Sequence, residues 1–241
     1  MNLLGFLPLC ISGLHLKNAA MAYFIVQRVG SLALLYGRVT PAAISLCVWV
    51  GTLIKLGIAP LHFWVPPSAS QLSDAGLCTF LTWQKVAPLS LLVHVSVGHH
   101  LITFINLCTG ALIILMVSSL AHILVFSGLV QLAWVLTLQG GAGMWHYLGL
   151  YFLSLVAIIT YIPHRSLAGA IALFNGAGLP PMTGFMIKVK ALARIPAGTG
   201  AVLVAGRGVA LVSYCRLALS SRPSCNGLPL PLVAIAIAGA V

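Results

Sequence analysis

Acidic residues are almost missing from this 241-residue chain, in which Asp74 stands alone against twelve Lys and Arg residues. Charged residues make up 5% of the sequence, whereas a soluble domain carries roughly 25%. A chain so poor in charge cannot cover a water-facing surface. Its few cations are scattered and do not cluster in a run or on one face, which argues against a nucleic-acid-binding protein.

Several enzyme motifs are missing as well. The sequence has no dinucleotide fingerprint, no P-loop and no kinase-like phosphate motif. Its six cysteines form no CxxC pair and no metal spacing with histidine, so we expect them to be small apolar fillers. The N-terminus resembles neither a cleavable signal peptide nor an Arg-rich transit peptide. We therefore expect no cofactor site and no metal site in this chain.

The sequence consists mainly of long apolar stretches, and 61% of its residues are hydrophobic. They predict an all-α polytopic membrane protein forming a single membrane domain over 1–241. At about 20 residues per crossing, the length allows about nine or ten transmembrane helices. The predicted spans are 19–37, 41–59, 76–95, 101–117, 120–138, 143–162, 166–193, 198–219 and 228–241, with a short apolar start at 1–14.

Proline interrupts two of these stretches. Pro60 follows the span 41–59, and Pro180 and Pro181 lie inside 166–193. Irregular backbone at membrane depth survives only where protein or water covers it, and broken helices beside ionisable residues are typical of transporter sites. The alternative is that a proline merely ends a helix at the interface. Both interpretations stay open for Pro60, while for 166–193 we expect a break inside the membrane.

Lysines within the predicted spans are the strongest functional signal. Lys55, Lys85 and Lys188 each interrupt apolar sequence, and a lysine at the centre of a membrane helix costs about 3 kcal/mol. Such positions are typical of proton pathways, so we predict that the three amines form a proton relay. The alternative is snorkelling, in which the long stem carries the charge to the interface. His122 is a further relay candidate, or else an interfacial residue at a helix start.

Other polar residues receive structural interpretations. Arg28 and Arg207 keep their charge in proteins and are expected to contact lipid phosphate or a partner's carboxylate. Asp74 is expected to cap the helix 76–95, and Thr82 to share the face of Lys85. The segment 61–76 is predicted to be irregular. An interfacial belt is predicted at the start of 143–162 from three neighbours: Trp145, His146 and Tyr147.

Three strings carry a family resemblance: KLGIAPLHFWVP at 55–66, LTWQKVAPLSLL at 81–92 and GAGLPPMTGFMIK at 176–188. In this order they resemble subunit 2 of mitochondrial NADH:ubiquinone oxidoreductase (respiratory complex I). The resemblance implies an antiporter-like fold of two inverted five-helix repeats, each with one discontinuous helix. Lys55 then matches the lysine of the first broken helix, Lys85 the central lysine of the next helix, and Lys188 the lysine at the second broken helix.

The resemblance also implies a function and a setting. The chain would translocate protons within a proton-pumping NADH:ubiquinone reductase of the mitochondrial inner membrane, driven by quinone reduction elsewhere. It would hold no redox centre of its own; NADH, FMN, iron–sulfur clusters and ubiquinone are expected in other subunits. Its expected partners are the other membrane subunits of complex I and lipids.

Three departures from the family pattern leave alternatives open. The family normally carries a membrane glutamate just upstream of what is Met1 here, Pro67 replaces an acid, and Ala121 and His122 replace a basic pair. From the resemblance we therefore expect an incomplete first repeat. We expect either that another chain donates a carboxylate near Lys55 or that this step is lost. The competing functions are a structural membrane scaffold that no longer pumps and a related ion/proton antiporter subunit.

Overall fold

The structure, a computed structural model, describes residues 17–39, 44–92, 100–138, 142–162, 167–180 and 182–220. All regular secondary structure in these ranges is helical, which confirms the all-α prediction. The helices group into two compact units, residues 1–109 and 110–241. They are α1 (Lys17–Val39), α2 (Ile44–Leu56), α3 (Val65–Ala69), α4 (Asp74–Leu81), α5 (Trp83–Leu92), α6 (His100–Met116), α7 (Leu120–Thr137), α8 (Ala142–Tyr161), α9 (Leu167–Ala177), α10 (Thr183–Leu192) and α11 (Ala197–Ser220).

Most predicted spans correspond to helices. Helices α1, α6, α7, α8 and α11 follow their predicted spans to within a few residues. Within the part of the chain that the structure describes, three segments have the length and apolarity to cross a membrane, namely Leu120–Thr137, Gly143–Tyr161 and Ala197–Ala218, and several shorter helices are apolar too. The predicted spans at 1–14 and 228–241 lie outside the described residues, and a single domain over 1–241 stays a prediction.

Two regions between Pro60 and Leu92 differ from the prediction. The segment 61–76 contains the short helix α3, because Pro66 and Pro67 occupy its first turn, where no backbone donor is needed. The span 76–95 is not one helix, since α4 ends at Leu81 and α5 begins at Trp83. Thr82 lies between them, and its hydroxyl donates to the Cys78 carbonyl at 2.6 Å. That Thr82 shares the face of Lys85 stays a prediction.

The N-terminal cap of α4 also corrects a prediction. Ser73, not Asp74, caps the helix: its backbone is extended and its hydroxyl accepts from the Gly76 N–H at 3.4 Å. Asp74 is the first helical residue, where a carboxylate still interacts favourably with the helix dipole.

Close backbone contact and an aromatic cluster hold unit 1 together. Helices α1 and α2 meet at two glycines: a Cβ added to Gly51 would lie 2.9 Å from the Gly30 carbonyl oxygen. Small residues allow this approach between membrane helices. Three aromatic rings from α1, the segment before α3, and α4 pack with centroids 5.6 to 6.1 Å apart: Tyr23, Trp64 and Phe80.

Helix α7 forms the centre of unit 2. Every residue from Ile123 to Leu136 is buried, and a helix that is apolar all round belongs in the interior of a bundle. Helices α8 and α11 pack against it, and α9 packs against both of those. The unit therefore surrounds α7, so any polar side chain on α7 needs a partner inside the bundle.

Candidate functional site

The first helix break lies directly after Lys55. Helix α2 ends at Leu56, and Gly57 follows with a positive φ of 65°. The Gly57 and Ile58 N–H groups donate to the carbonyls of Ile54 and Leu53 at 3.2 and 3.1 Å, the bonding pattern of a Schellman motif. Glycine serves here because it accepts the left-handed conformation without steric cost.

Side chains from elsewhere in unit 1 form hydrogen bonds with the backbone at this break. The Asn106 side-chain oxygen accepts from the Ala59 N–H at 3.1 Å, and the Trp64 indole N–H donates to the Ile54 carbonyl at 3.2 Å. Asn106 lies on α6 and is completely buried. Asn106 satisfies a backbone N–H beyond the end of α2, and Trp64 adds a second donor to the Ile54 carbonyl, which already accepts from Gly57. A chain in a membrane requires such partners for its backbone groups.

Lys55 and Lys85 lie on two helices of unit 1 that pack together, α2 and α5. Lys85 is 7% exposed in the first turn of α5. Lys55 is half-buried, its stem lies against Gly30, and its carbonyl accepts from the Gln27 amide at 3.5 Å. Unit 1 thus brings the two predicted relay lysines onto adjoining helices.

The second break lies between α9 and α10. Gly178 has a positive φ of 74°, and Leu179 donates to the Phe174 carbonyl at 3.1 Å, which repeats the Schellman pattern of Gly57. The side-chain oxygen of Asn175 bridges the break. It accepts from the Gly184 N–H at 2.8 Å and from the Thr183 hydroxyl at 2.9 Å. The predicted discontinuity in 166–193 is therefore confirmed.

Lys188 reaches back from α10 to this break. Its ammonium donates to the Gly176 carbonyl at 3.3 Å, and the side chain is 8% exposed. The amine lies against Gly178, where an added Cβ would overlap Nζ. The snorkelling alternative does not describe Lys188 within unit 2, because its charged end lies among buried backbone groups. Its role as a relay stays a prediction.

A buried polar network adjoins Lys188. Arg207 on α11 is 7% exposed, and its Nε donates to the Ala177 carbonyl at 3.1 Å. With the Gln131 amide oriented so that its oxygen faces the guanidinium, that oxygen accepts from Nη1 at 2.9 Å and Nη2 at 3.1 Å. The Gln131 nitrogen then donates to the Tyr147 hydroxyl.

This network corrects two expectations. Arg207 was predicted to reach lipid phosphate or a partner's carboxylate, but in unit 2 its guanidinium is held by a carbonyl and an amide of the chain itself. Tyr147 was predicted to lie in an interfacial belt, yet it is buried and stacks on Trp134 with centroids 6.3 Å apart. Trp145 is exposed as the belt requires.

A small cavity joins the network to Lys188. Its volume is about 20 Å³, which is enough for one water molecule. Lys188, Gln131, Ser154 and Tyr151 line it. The Tyr151 hydroxyl is buried and has no hydrogen-bond partner among the described residues. A buried hydroxyl needs such a partner, so we expect a water molecule between Tyr151 and Lys188.

The histidines add little to the candidate site. His122 lies in the first turn of α7, where its Nδ1 is hydrogen-bonded to the hydroxyl of Ser119, the N-cap residue. This geometry suits the helix-start interpretation, and its relay role stays a prediction. Four histidines lie outside the described residues: His15, His94, His99 and His164.

Sequence reasoning missed the uncharged amides. Asn106, Asn175 and Gln131 hold the two breaks and the buried arginine, but a charged side chain is the more conspicuous signal in an apolar chain. The available signal was an amide inside an apolar stretch, which needs a hydrogen-bond partner as much as a charge does.

Comparisons in sequence confirm the resemblance to one family. The chain is 25% identical over 279 residues to "NADH-ubiquinone oxidoreductase chain 2" of Crocidura hildegardeae, an alignment covering 95% of this chain and 80% of that protein. It is 27% identical over 229 residues to the protein of the same name from Squalus acanthias, covering 78% and 66%. The chain thus spans about two thirds to four fifths of these relatives. No family model matches the chain.

Comparisons of structure agree on the fold. A chain of "Respiratory complex I from Thermus thermophilus with bound Aureothin" matches with a TM-score of 0.75 and 21% identity, covering 92% of this chain and 64% of that one. A chain of the membrane-bound sulfane sulfur reductase, an archaeal respiratory membrane complex, matches with a TM-score of 0.70 and 18% identity, covering 98% and 53%. The chain therefore has the fold of a complex I membrane subunit and is a multi-pass membrane protein.

Proposed function

We propose that this chain is a proton-translocating, non-redox membrane subunit of an NADH:ubiquinone oxidoreductase in the mitochondrial inner membrane. The observation that carries the proposal is Lys188, a buried amine held at a helix break beside a cavity large enough for water. The similarity to relatives named NADH-ubiquinone oxidoreductase chain 2 supplies the reaction. NADH, FMN, iron–sulfur clusters and ubiquinone belong to other subunits of the assembly.

Protons are passed by amines that alternate between charged and neutral forms. Lysine can do this because its ammonium loses a proton to yield a stable amine, whereas arginine stays charged. Lys188 would exchange its proton with water in the adjoining cavity, with the Tyr151 hydroxyl holding that water. Arg207 has a structural role, because its contacts with Ala177 and Gln131 fix the end of α9 against α7 and α11.

Lys55 and Lys85 are the candidate relay lysines of unit 1. They lie on the packed helices α2 and α5, so water near these helices would connect them. Asp74, the only acidic residue of the sequence, begins α4 and lies eleven positions before Lys85 along the chain. We propose that a carboxylate from outside these 241 residues, such as one in a neighbouring membrane subunit, regulates the charge of Lys55.

A structural scaffold is the second candidate function. The departures from the family pattern at Pro67 and at Ala121 and His122 favour it, because they remove charged residues that the pumping family carries. A scaffold would need the helices and both breaks but not the amines. The two candidates therefore differ in what happens when an amine is removed without disturbing the fold.

Replacing Lys85 with methionine tests the choice. Methionine preserves most of the buried stem while removing the exchangeable proton, so we expect the complex to assemble and to move fewer protons per NADH oxidised, or to stall. The measurement is the ratio of proton translocation to NADH oxidation in sealed membrane vesicles, together with native gels for assembly.

The matched control is Arg216→Met, which removes an exposed cation that donates to the Leu115 carbonyl. This variant should retain the parental ratio. A Lys85→Met complex with an unchanged ratio would favour the scaffold.

A further inference from the structure

A second, wider cavity opens in unit 2 where α8 begins and α10 ends. Its volume is about 380 Å³. Three basic side chains line it, His146, Lys190 and Arg194, and apolar residues such as Leu138 and Ile187 form the rest of the wall. All three basic side chains are exposed. The cavity therefore combines a cationic rim with an apolar lining.

Positive charge in this cavity has no counter-charge in its own unit. Residues 110–241 contain no aspartate and no glutamate. The Arg194 guanidinium also lies against Gly143 in the first turn of α8, where an added Cβ would overlap Nη1 and approach Cζ to 3.3 Å. A helix N-terminus carries partial positive charge and repels a cation. An anion that contacts both the helix end and the guanidinium would stabilise both.

The surroundings indicate which anion fits. Helix α10 exposes a run of apolar side chains that leads to Lys190: Phe185, Met186 and Val189. A ligand with a phosphate and an acyl chain would satisfy both the cationic rim and this apolar face. Basic pockets between membrane helices bind anionic lipid headgroups, and arginine forms paired hydrogen bonds with phosphate.

We propose that the cavity lined by His146, Lys190 and Arg194 binds the phosphate of an anionic phospholipid, whose acyl chains lie along the exposed face of α10. Gly143 leaves the room that the Arg194 guanidinium needs to face the phosphate. The site requires only that the chain is embedded in a membrane. It does not depend on proton translocation, so failure of the Lys85→Met test would leave it intact.

Photolabelling of the intact complex tests the proposal. The probe is phosphatidylglycerol with a photoactivatable group on an acyl chain, added to the purified complex, and the labelled peptides are identified by mass spectrometry. We expect label on residues 183–194, removed by excess unlabelled phosphatidylglycerol but not by phosphatidylcholine or millimolar inorganic phosphate. The double variant Lys190→Gln with Arg194→Gln should reduce this label about 25-fold, since each basic side chain near an anionic lipid contributes roughly five-fold.

Two further variants sharpen the test. Gly143→Ala should lower the label while both cations remain, because the new methyl group displaces the Arg194 guanidinium. Arg216→Gln removes an exposed cation elsewhere on α11 and should label like the parent.

Four outcomes would overturn the proposal. They are equal competition by phosphatidylcholine, loss of label in inorganic phosphate, unchanged labelling of the double variant, and an unlabelled cavity in which carbodiimide joins Lys190 to an acidic residue of a neighbouring subunit.

Discussion

Replacing Asn175 with leucine is expected to destabilise the second helix break by roughly 2–6 kcal/mol. The side-chain oxygen of Asn175 accepts from both the Gly184 N–H and the Thr183 hydroxyl. Leucine has a similar volume but accepts neither, and each buried donor left unpaired costs about 1–3 kcal/mol. The measurement is the temperature at which the detergent-solubilised complex loses its intact band on a native gel.

Thr183→Val provides the graded control for this variant. It removes only the hydroxyl donor and leaves the Gly184 N–H bonded to Asn175, so we expect a loss of about 1 kcal/mol. Equal melting of the Asn175→Leu complex and the parent would mean that the amide does not hold the break together.

Replacing Gln131 with leucine is expected to have an effect of similar size for a different reason. The Gln131 oxygen accepts from both terminal nitrogens of Arg207. Without it the buried guanidinium keeps its bond to Ala177 but loses the Gln131 acceptor, and a hydrogen bond to a charged group contributes about 1.5–3 kcal/mol. We expect much less assembled complex, measured by native gel and by thermal denaturation.

Two companion variants separate charge from packing. Ser127 lies one turn before Gln131 on α7, and its hydroxyl donates a hydrogen bond to the Leu124 carbonyl. Ser127→Ala removes only this local bond, so it should lower stability by less than about 1 kcal/mol. Gln131→Leu combined with Arg207→Met removes the stranded charge as well and should recover part of the loss. No recovery in the double variant would contradict the proposed dependence of Arg207 on Gln131.

The helices and breaks could be predicted where local sequence determines them. Long apolar runs predicted α1, α6, α7, α8 and α11, and the two prolines at 180 and 181 predicted the interruption between α9 and α10. The division at Thr82 was missed because the sequence contains no glycine or proline between Gly76 and Pro88 to mark it.

The candidate site was only partly predictable. A lysine in apolar sequence is conspicuous, so Lys55, Lys85 and Lys188 could be proposed from the sequence alone. The amide contacts around the site could not be predicted. Asn106 lies 47 residues from Ala59, from whose N–H it accepts a hydrogen bond, and Gln131 lies far from Arg207 in sequence. Hydrogen bonds between distant residues depend on how helices pack, and no local pattern specifies them.

If the relay lysines act by exchanging protons and not merely by carrying charge, a Lys188→Arg variant should not pump as the parent does. Arginine preserves the positive charge but does not release its proton in proteins. The measurement is the ratio of protons translocated to NADH oxidised in sealed vesicles containing the assembled variant complex, beside a Lys188→Met complex. We predict that both variants fall below the parental ratio, and an arginine variant that pumps like the parent would contradict the account.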